Sequence, residues 1–368
     1  MNRRSLIVLL GVLVALAALA AIGLKERGAP SSSDGAAIVP GLAGALNNLE
    51  RVSLVKAGGE AVATLERRGD DWVVAERNGY PAAVSKLRLA LRALADAKIL
   101  ETKTANPDFY DKLGVTDVAD AGAGGVAVTL TAPGTELPTL ILGNAEGSKY
   151  RYARRANEAQ SYLLDKNPDF PRSISQWLEP QILDVRGDRV QQVTIKHPDG
   201  ETVTVSKAAR DAQNFDVAAV PQGRELLYAG VANVIGNSLR ELNLEDVEPA
   251  DANAVEQPVQ VEFRTFDGLV INMTGAERGD DAWVSFVASF DPEQAARFAD
   301  PAPAADGDAG ESAPEPAAEA TASTESVPDS AAEAERINAR VGAWRYKIAG
   351  FQYDQMTRRM ADLLKPPA

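Results

Sequence analysis

The chain has 368 residues, 45% of them apolar, with 52 acidic against 38 basic side chains and a formal net charge of −14. That is enough chain for two domains of ordinary size, and the negative balance argues against nucleic acid as a partner. Cysteine is absent and histidine occurs once, which excludes disulfides, Cys-ligated zinc, a Cys nucleophile, a lipidated Cys and any multi-His metal site.

Residues 6–24 carry no charge and follow Arg3 and Arg4. At about 1.5 Å per residue such a helix approaches the ~30 Å hydrocarbon core of a bilayer, so the segment reads as one membrane span. A cleavable signal peptide also begins with a basic end and an apolar run, and Ala18-Leu19-Ala20 is a candidate cleavage site. A secretory apolar region is about 7–15 residues; this run is longer and Lys25, Glu26 and Arg27 follow it directly, which favours a retained anchor. The positive-inside tendency keeps the N-terminal tail cytoplasmic and places the bulk of the chain on the periplasmic, extracytoplasmic side of the inner membrane. Residues 1–28 are thus tip and transmembrane anchor, with the lipid bilayer as a partner. Residues 29–48 mix Ala, Pro, Gly and Ser without a period and read as a linker.

From Leu49 the pattern turns to strands. Val52 and Leu54 alternate, Gly58-Gly59 marks a turn, and Val62, Thr64, Trp72, Val73 and Val74 continue as two further short antiparallel strands. Tyr80-Pro81 then opens a helix whose apolar positions Val84, Leu87, Leu91 and Leu94 fall three and four apart, one face for packing on a sheet. Further strands are expected over 126–131 and 139–143, then at Tyr150-Arg151-Tyr152 and Tyr162-Leu163-Leu164. Together these make a first module over 49–185.

The unit occurs again about 140 residues on. Val52-Ser53-Leu54 corresponds to Val193-Thr194-Ile195, Val62 to Val203, and Trp72 to Phe215. Pro81, Leu87, Leu91 and Leu94 correspond to Pro221, Leu227, Val231 and Val234, so a second packed helix is expected there. Strands follow over 259–264, 269–275, 283–286 and 344–348, with a terminal helix over 351–364. The second module, 186–368, is interrupted at about 291–335 by a segment of Ala, Pro, Glu, Asp and Ser, expected to be disordered. The fold class expected is α+β: one N-terminal transmembrane helix followed by two tandem repeated modules of antiparallel strands with packed helices.

Candidate chemistry is sparse. Asp70-Asp71 and Asp280-Asp281 repeat a Gly-Asp-Asp with Trp close behind; paired carboxylates bind divalent cations only when further oxygens converge, and a turn with an inward Trp explains the pattern. His197, before Pro198-Asp199-Gly200, reads as an exposed turn histidine, and no serine nucleophile between glycines accompanies it. Gly122, Gly124 and Gly125 precede a strand, the reverse of a phosphate cradle. Tyr150, Arg151, Tyr152, Arg154 and Arg155 form a basic-aromatic patch, read as a half-buried strand with Tyr150 and Tyr152 on one face and Arg151 on the other. No catalytic, cofactor-binding or metal residue is therefore assigned, and no cofactor is expected.

Trp72-Val73-Val74, the Tyr80-Pro81 helix, Phe109-Tyr110, Leu113-Gly114-Val115, Leu142-Gly143 and Tyr150-Arg151-Tyr152, after the N-terminal apolar segment, resemble the bacterial domain-of-unknown-function family 4340 from about Leu49 onward. The resemblance implies an anchored accessory protein beside an ABC-type transporter of the gliding-motility kind, with a permease and an ATPase as partners. It supplies no catalytic residues. The expected function is a membrane-anchored extracytoplasmic binding or scaffold protein of an ABC-type transport or envelope complex, non-catalytic; the alternatives are an envelope enzyme using carboxylates and a purely structural envelope spacer.

Overall fold

The computed structural model describes residues 35–250, 257–299 and 329–366, and the chain divides into two units between Glu179 and Pro180. In the first unit β1 (Arg51–Lys56), β2 (Glu60–Arg68), β3 (Asp71–Val74) and β4 (Tyr80–Pro81) form an antiparallel meander, and alternation buries Val52, Leu54 and Leu65. The helix Val84–Asp96 lays Leu87, Ala90, Leu91 and Leu94 into the core. It carries the chain to the far edge, where β5 (Ile99–Thr102) lies. β6 (Val126–Thr131) returns to the centre beside β1, and β7 (Leu140–Glu146), β8 (Tyr150–Arg155) and β9 (Ser161–Leu164) complete a nine-stranded sheet ordered β4-β3-β2-β1-β6-β7-β8-β9-β5. The sheet's other face is covered too: Tyr110 and Val115 pack on Ala127 and Ile141, with Val55, Leu113 and Tyr152 around them.

In the second unit β10 (Gln181–Leu183) precedes a meander of β11 (Val190–Lys196), β12 (Thr202–Ser206) and β13 (Asp216–Val217). β14 (Leu242–Asn243) pairs back to β10 as a small separate sheet. β15 (Asp246–Pro249), β16 (Val259–Thr265), β17 (Leu269–Arg278), β18 (Asp281–Phe290) and β19 (Trp344–Ile348) join the meander in an eight-stranded sheet ordered β13-β12-β11-β16-β17-β18-β19-β15. Strand for strand this is the path of the first unit without its outermost strand. Val193, Ile195, Val203, Val205, Phe263, Ile271, Val284, Phe286 and Tyr346 form its core.

Several expectations are corrected. The molecule is mostly antiparallel sheet, three sheets with few helices, and not an α+β fold with a packed helix in each module. Among the described residues only Val84–Asp96 and Ser330–Val341 are helices longer than seven residues, and no helix is long and apolar enough to cross a membrane. The transmembrane, signal-anchor reading thus gains no helix; its residues 6–24 lie outside those described. The second packed helix is reduced to Asn233–Gly236. Gly230 sits at φ +81° ahead of it, and at Gly236 a Cβ would fall 2.2 Å from the Phe215 ring, so this stretch approaches the core by its backbone where the first unit uses leucines. The terminal helix is two, Gly350–Met356 and Met360–Leu363.

The described parts of the two irregular stretches are folded. In the stretch read as a linker, Ile38 and Leu42 are fully buried, Ala37 bridges to Lys98, and Arg155 Nε donates to the Ile38 carbonyl at 2.9 Å. In the stretch read as disordered, Asp291 caps the helix Pro292–Arg297 and Asp329 caps Ser330–Val341, whose Ala334, Ile337 and Val341 are buried; residues 300–328 lie outside the description. Asn338 closes the free edge of β18, its amide accepting from Ala288 N at 2.8 Å and donating to Ala288 O at 2.7 Å.

Candidate functional site

The paired aspartates stand at hairpin turns. Asp71 begins β3 and Asp281 begins β18; Asp281 is held by Lys347 Nζ at 2.6 Å. Each pair belongs to a different unit, and among the described residues no group of three Asp, Glu, His or Cys side chains is arranged to hold a metal ion. His197 differs from its expectation: it lies in the β11–β12 turn, yet is only 7% exposed, with Nε2 making no hydrogen bond among the described residues. Arg359 bridges Asp199 and Glu201 of the same turn, and Glu201 also accepts from Met360 N at 2.9 Å. The Glu201 backbone N–H, and then Arg359, hold the Asp199 carboxyl below its ordinary range. Gly125 is needed for packing: a Cβ there would meet the Gly114 carbonyl at 2.5 Å.

The basic-aromatic strand is a set of staples. Arg154, 5% exposed, donates through Nε to the Val115 carbonyl at 2.9 Å and through Nη1 to those of Ala156 and Glu158 at 3.0 Å, with its guanidinium 4.7 Å from the Tyr110 ring centre. Arg151 reaches the Gly143 carbonyl and Asn167, and burial lowers its pKa. Tyr152 donates to Glu146 at 2.8 Å. Both cations are bound within their own unit, and Arg154 is buried with Arg151 part-buried, so neither presents a free guanidinium face to solvent.

The second unit carries its own closed charge cluster. Arg189 donates to Asp267 at 2.9 Å and to Glu333 at 2.7 Å, and the Thr265 hydroxyl donates to the other oxygen of Asp267. Burial works to lower the Arg189 pKa, but Glu333 and Asp267 together raise it. The members satisfy one another, and through Glu333 the cluster ties the helix Ser330–Val341 to the sheet.

A different surface on the first unit remains open. Where the helix Val84–Asp96 passes the tip of the β2–β3 hairpin, a trough of about 800 Å³ opens. Arg67 and Trp72 stand opposite each other in register, one step beyond the buried pair Leu65 and Val74, so the core-facing row of the sheet runs out into solvent here. Leu46, Trp72, Val84, Leu87 and Leu91 make the apolar floor, and Leu89, 72% exposed, stands at the side. Arg67, Arg88 and Arg92 make the rim, with Asp70 the one acid. Arg67 is fixed by bonds to the Gly69 and Asn47 carbonyls at 3.1 and 2.7 Å. None of the three arginines forms an ion pair among the described residues, whereas in the adjoining polar trough Arg51 and Glu66 neutralise each other at 2.8 Å.

Sequence reading missed this trough because its parts come from residues 46–47, 67–72 and 84–92. The available signal was on the helix: Leu89 lies off the buried stripe, and Arg88 and Arg92 stand one turn apart, a like-charged pair that costs an isolated helix a few tenths of a kcal/mol, about 0.2–0.5.

A family model described as "Domain of unknown function (DUF4340)" matches residues 72–260, just over half of the chain, beginning at the trough's Trp72 and ending in β16. The chain belongs to this family. No curated protein and no solved structure matches it. The match to DUF4340 takes in the helix with Arg88, Leu89 and Arg92, and spans parts of both units.

Proposed function

We propose that this DUF4340 chain is a non-catalytic binding or scaffold protein that serves an ABC-type transport or envelope complex from the extracytoplasmic side. The observation that carries the binding role is the trough, an apolar floor with three unneutralised guanidiniums at its rim. A half-exposed Trp with exposed Leu and Arg side chains in one depression fits a protein contact, since Trp and Arg are enriched among the residues that dominate binding energy at such surfaces. Several charged groups that would otherwise suggest chemistry are occupied: Asp281 by Lys347, Asp199 and Glu201 by Arg359, and Asp267 and Glu333 by Arg189. The choice of complex follows the family resemblance read from the sequence.

The test is crosslinking in cells followed by purification through a C-terminal tag. Recovery of an ABC-type permease with its ATPase is the expected result. Recovery of the tagged chain alone from cells that express the transporter would overturn the proposal.

A further inference from the structure

We infer that the trough between the β2–β3 tip and the helix Val84–Asp96 takes an acidic amphipathic peptide segment of a partner protein, an inference that rests on the binding role just proposed and gives its partner a chemistry. Three features select the occupant. The rim is cationic on a chain whose net charge is −14, so the local sign is opposite to the global one and favours an anionic ligand. The floor is apolar, with Trp72 half-buried and Leu89 almost wholly in water, so a simple anion would leave most of the surface unused. The trough is also partly open to solvent and not an enclosed cavity, so it does not surround a small amphiphile as a ligand cavity does, while it suits a segment lying along it.

The spacing of the cations adds a constraint. Arg88 and Arg92 are four residues apart on the helix, about 6 Å along its axis. Carboxylates one turn apart on a partner helix repeat at that distance, with apolar residues of the same helix turned to Trp72 and Leu91. Arg67, already fixed by the Asn47 and Gly69 carbonyls, loses little side-chain freedom on receiving a carboxylate. Because the rim is exposed, its charges chiefly set encounter rate and selectivity, and binding weakens as salt rises.

The experiment uses the full chain and a fluorescent synthetic peptide of Leu, Ala and Glu arranged as an amphipathic helix, beside a counterpart with Lys in place of Glu. Anisotropy titrations should show binding of the Glu peptide, at least about tenfold weaker binding of the Lys peptide, and a loss of about tenfold or more in R88E/R92E. The milder R88Q/R92Q should lose part of that affinity with an unchanged circular dichroism spectrum, and R240E, which alters an arginine of the second unit, should bind as the native chain does. Equal binding of the two peptides, undiminished binding by R88E/R92E, or displacement of the Glu peptide by phosphatidylglycerol vesicles would each overturn the inference, the last by assigning the trough to lipid. If the peptides fail while crosslinking still recovers the transporter, only this inference falls. If the Glu peptide binds as expected and no transporter is recovered, the trough stands and the transport assignment falls.

Discussion

The two large sheets share one strand order, and they part company in a single row of residues. In the first unit Val55, Ala127, Ile141 and Arg154 lie side by side across β1, β6, β7 and β8; in the second, a row across the corresponding strands β11, β16, β17 and β18 is Thr194, Glu262, Asn272 and Val287. The first row is covered by Tyr110 and Val115 from the segment between β5 and β6. The second faces solvent over much of its length, with Val287 58% exposed. The contrast inverts the usual residue preferences: an arginine is buried in one row and a valine exposed in the other. A sheet covered on both faces needs apolar residues at successive positions, as in Val126-Ala127-Val128, whereas a sheet open to water on one face alternates, as in Val261-Glu262-Phe263. Topology therefore does not decide which face is open to water; the strand periodicity reports it.

The second unit also holds a closed charge cluster. Its Arg189 cluster makes the largest expected effect: Arg189→Met leaves Asp267, with a side chain 5% exposed, as an unpaired buried carboxylate, at a cost of about 3–5 kcal/mol. Urea unfolding followed by hydrogen exchange should show the loss in the second unit and freer exchange in the helix Ser330–Val341. Unchanged exchange there would mean that the cluster does not fasten that helix.

The row itself is tested next. Ile141→Ala should destabilise the first unit by about 2–5 kcal/mol, since it opens a cavity beneath Tyr110, while Asn272→Ala in the row of the second unit should stay within about 0.5 kcal/mol. Equal effects would break the comparison. Arg154→Met sharpens it further: the aliphatic volume is kept, but the Val115, Ala156 and Glu158 carbonyls lose their donor, for about 1–3 kcal/mol. Val287→Asn should cost almost nothing.

How much of this was legible follows from the same physics. The alternation in β1, β2, β11 and β16 and the leucine spacing of Val84–Asp96 are local patterns, and those elements stand where their periods put them, although Tyr80-Pro81, expected to open the helix, forms strand β4 and the helix begins at Val84. The second packed helix was expected from matching positions, and Gly230 and Gly236 undo it because a register says nothing of backbone packed against Phe215. The linker and insertion readings relied on composition, which overlooks a few well-placed residues such as Ile38, Leu42, Gln294 and Ala334. The trough was hidden for another reason. It joins a turn, a hairpin tip and a helix face through tertiary contact alone, and Trp72, read as an inward residue, is its half-exposed floor.

A further effect is a pH dependence within the second unit's core. Tyr353 is 6% exposed and packs toward Gly275 of β17, and burial, helped by Glu277 and Asp354, pushes its pKa from 10.0 up to about 12. The unfolded chain releases this proton near pH 10 while the folded chain keeps it, so the neutral phenol contributes stability that is complete below pH 10 and is lost as pH rises toward 12. Tyr152 and Tyr162 in the first unit are also raised, by burial first and then by Glu146 and Glu158 respectively, so both units weaken in alkali. Tyr353→Phe separates them: it should flatten the alkaline fall in the second unit's exchange protection and leave that of the first unchanged. If instead the variant follows the native curve across that window, the phenol is ionising in place without unfolding cost, and the second core admits water where its sheet lies beneath Tyr353.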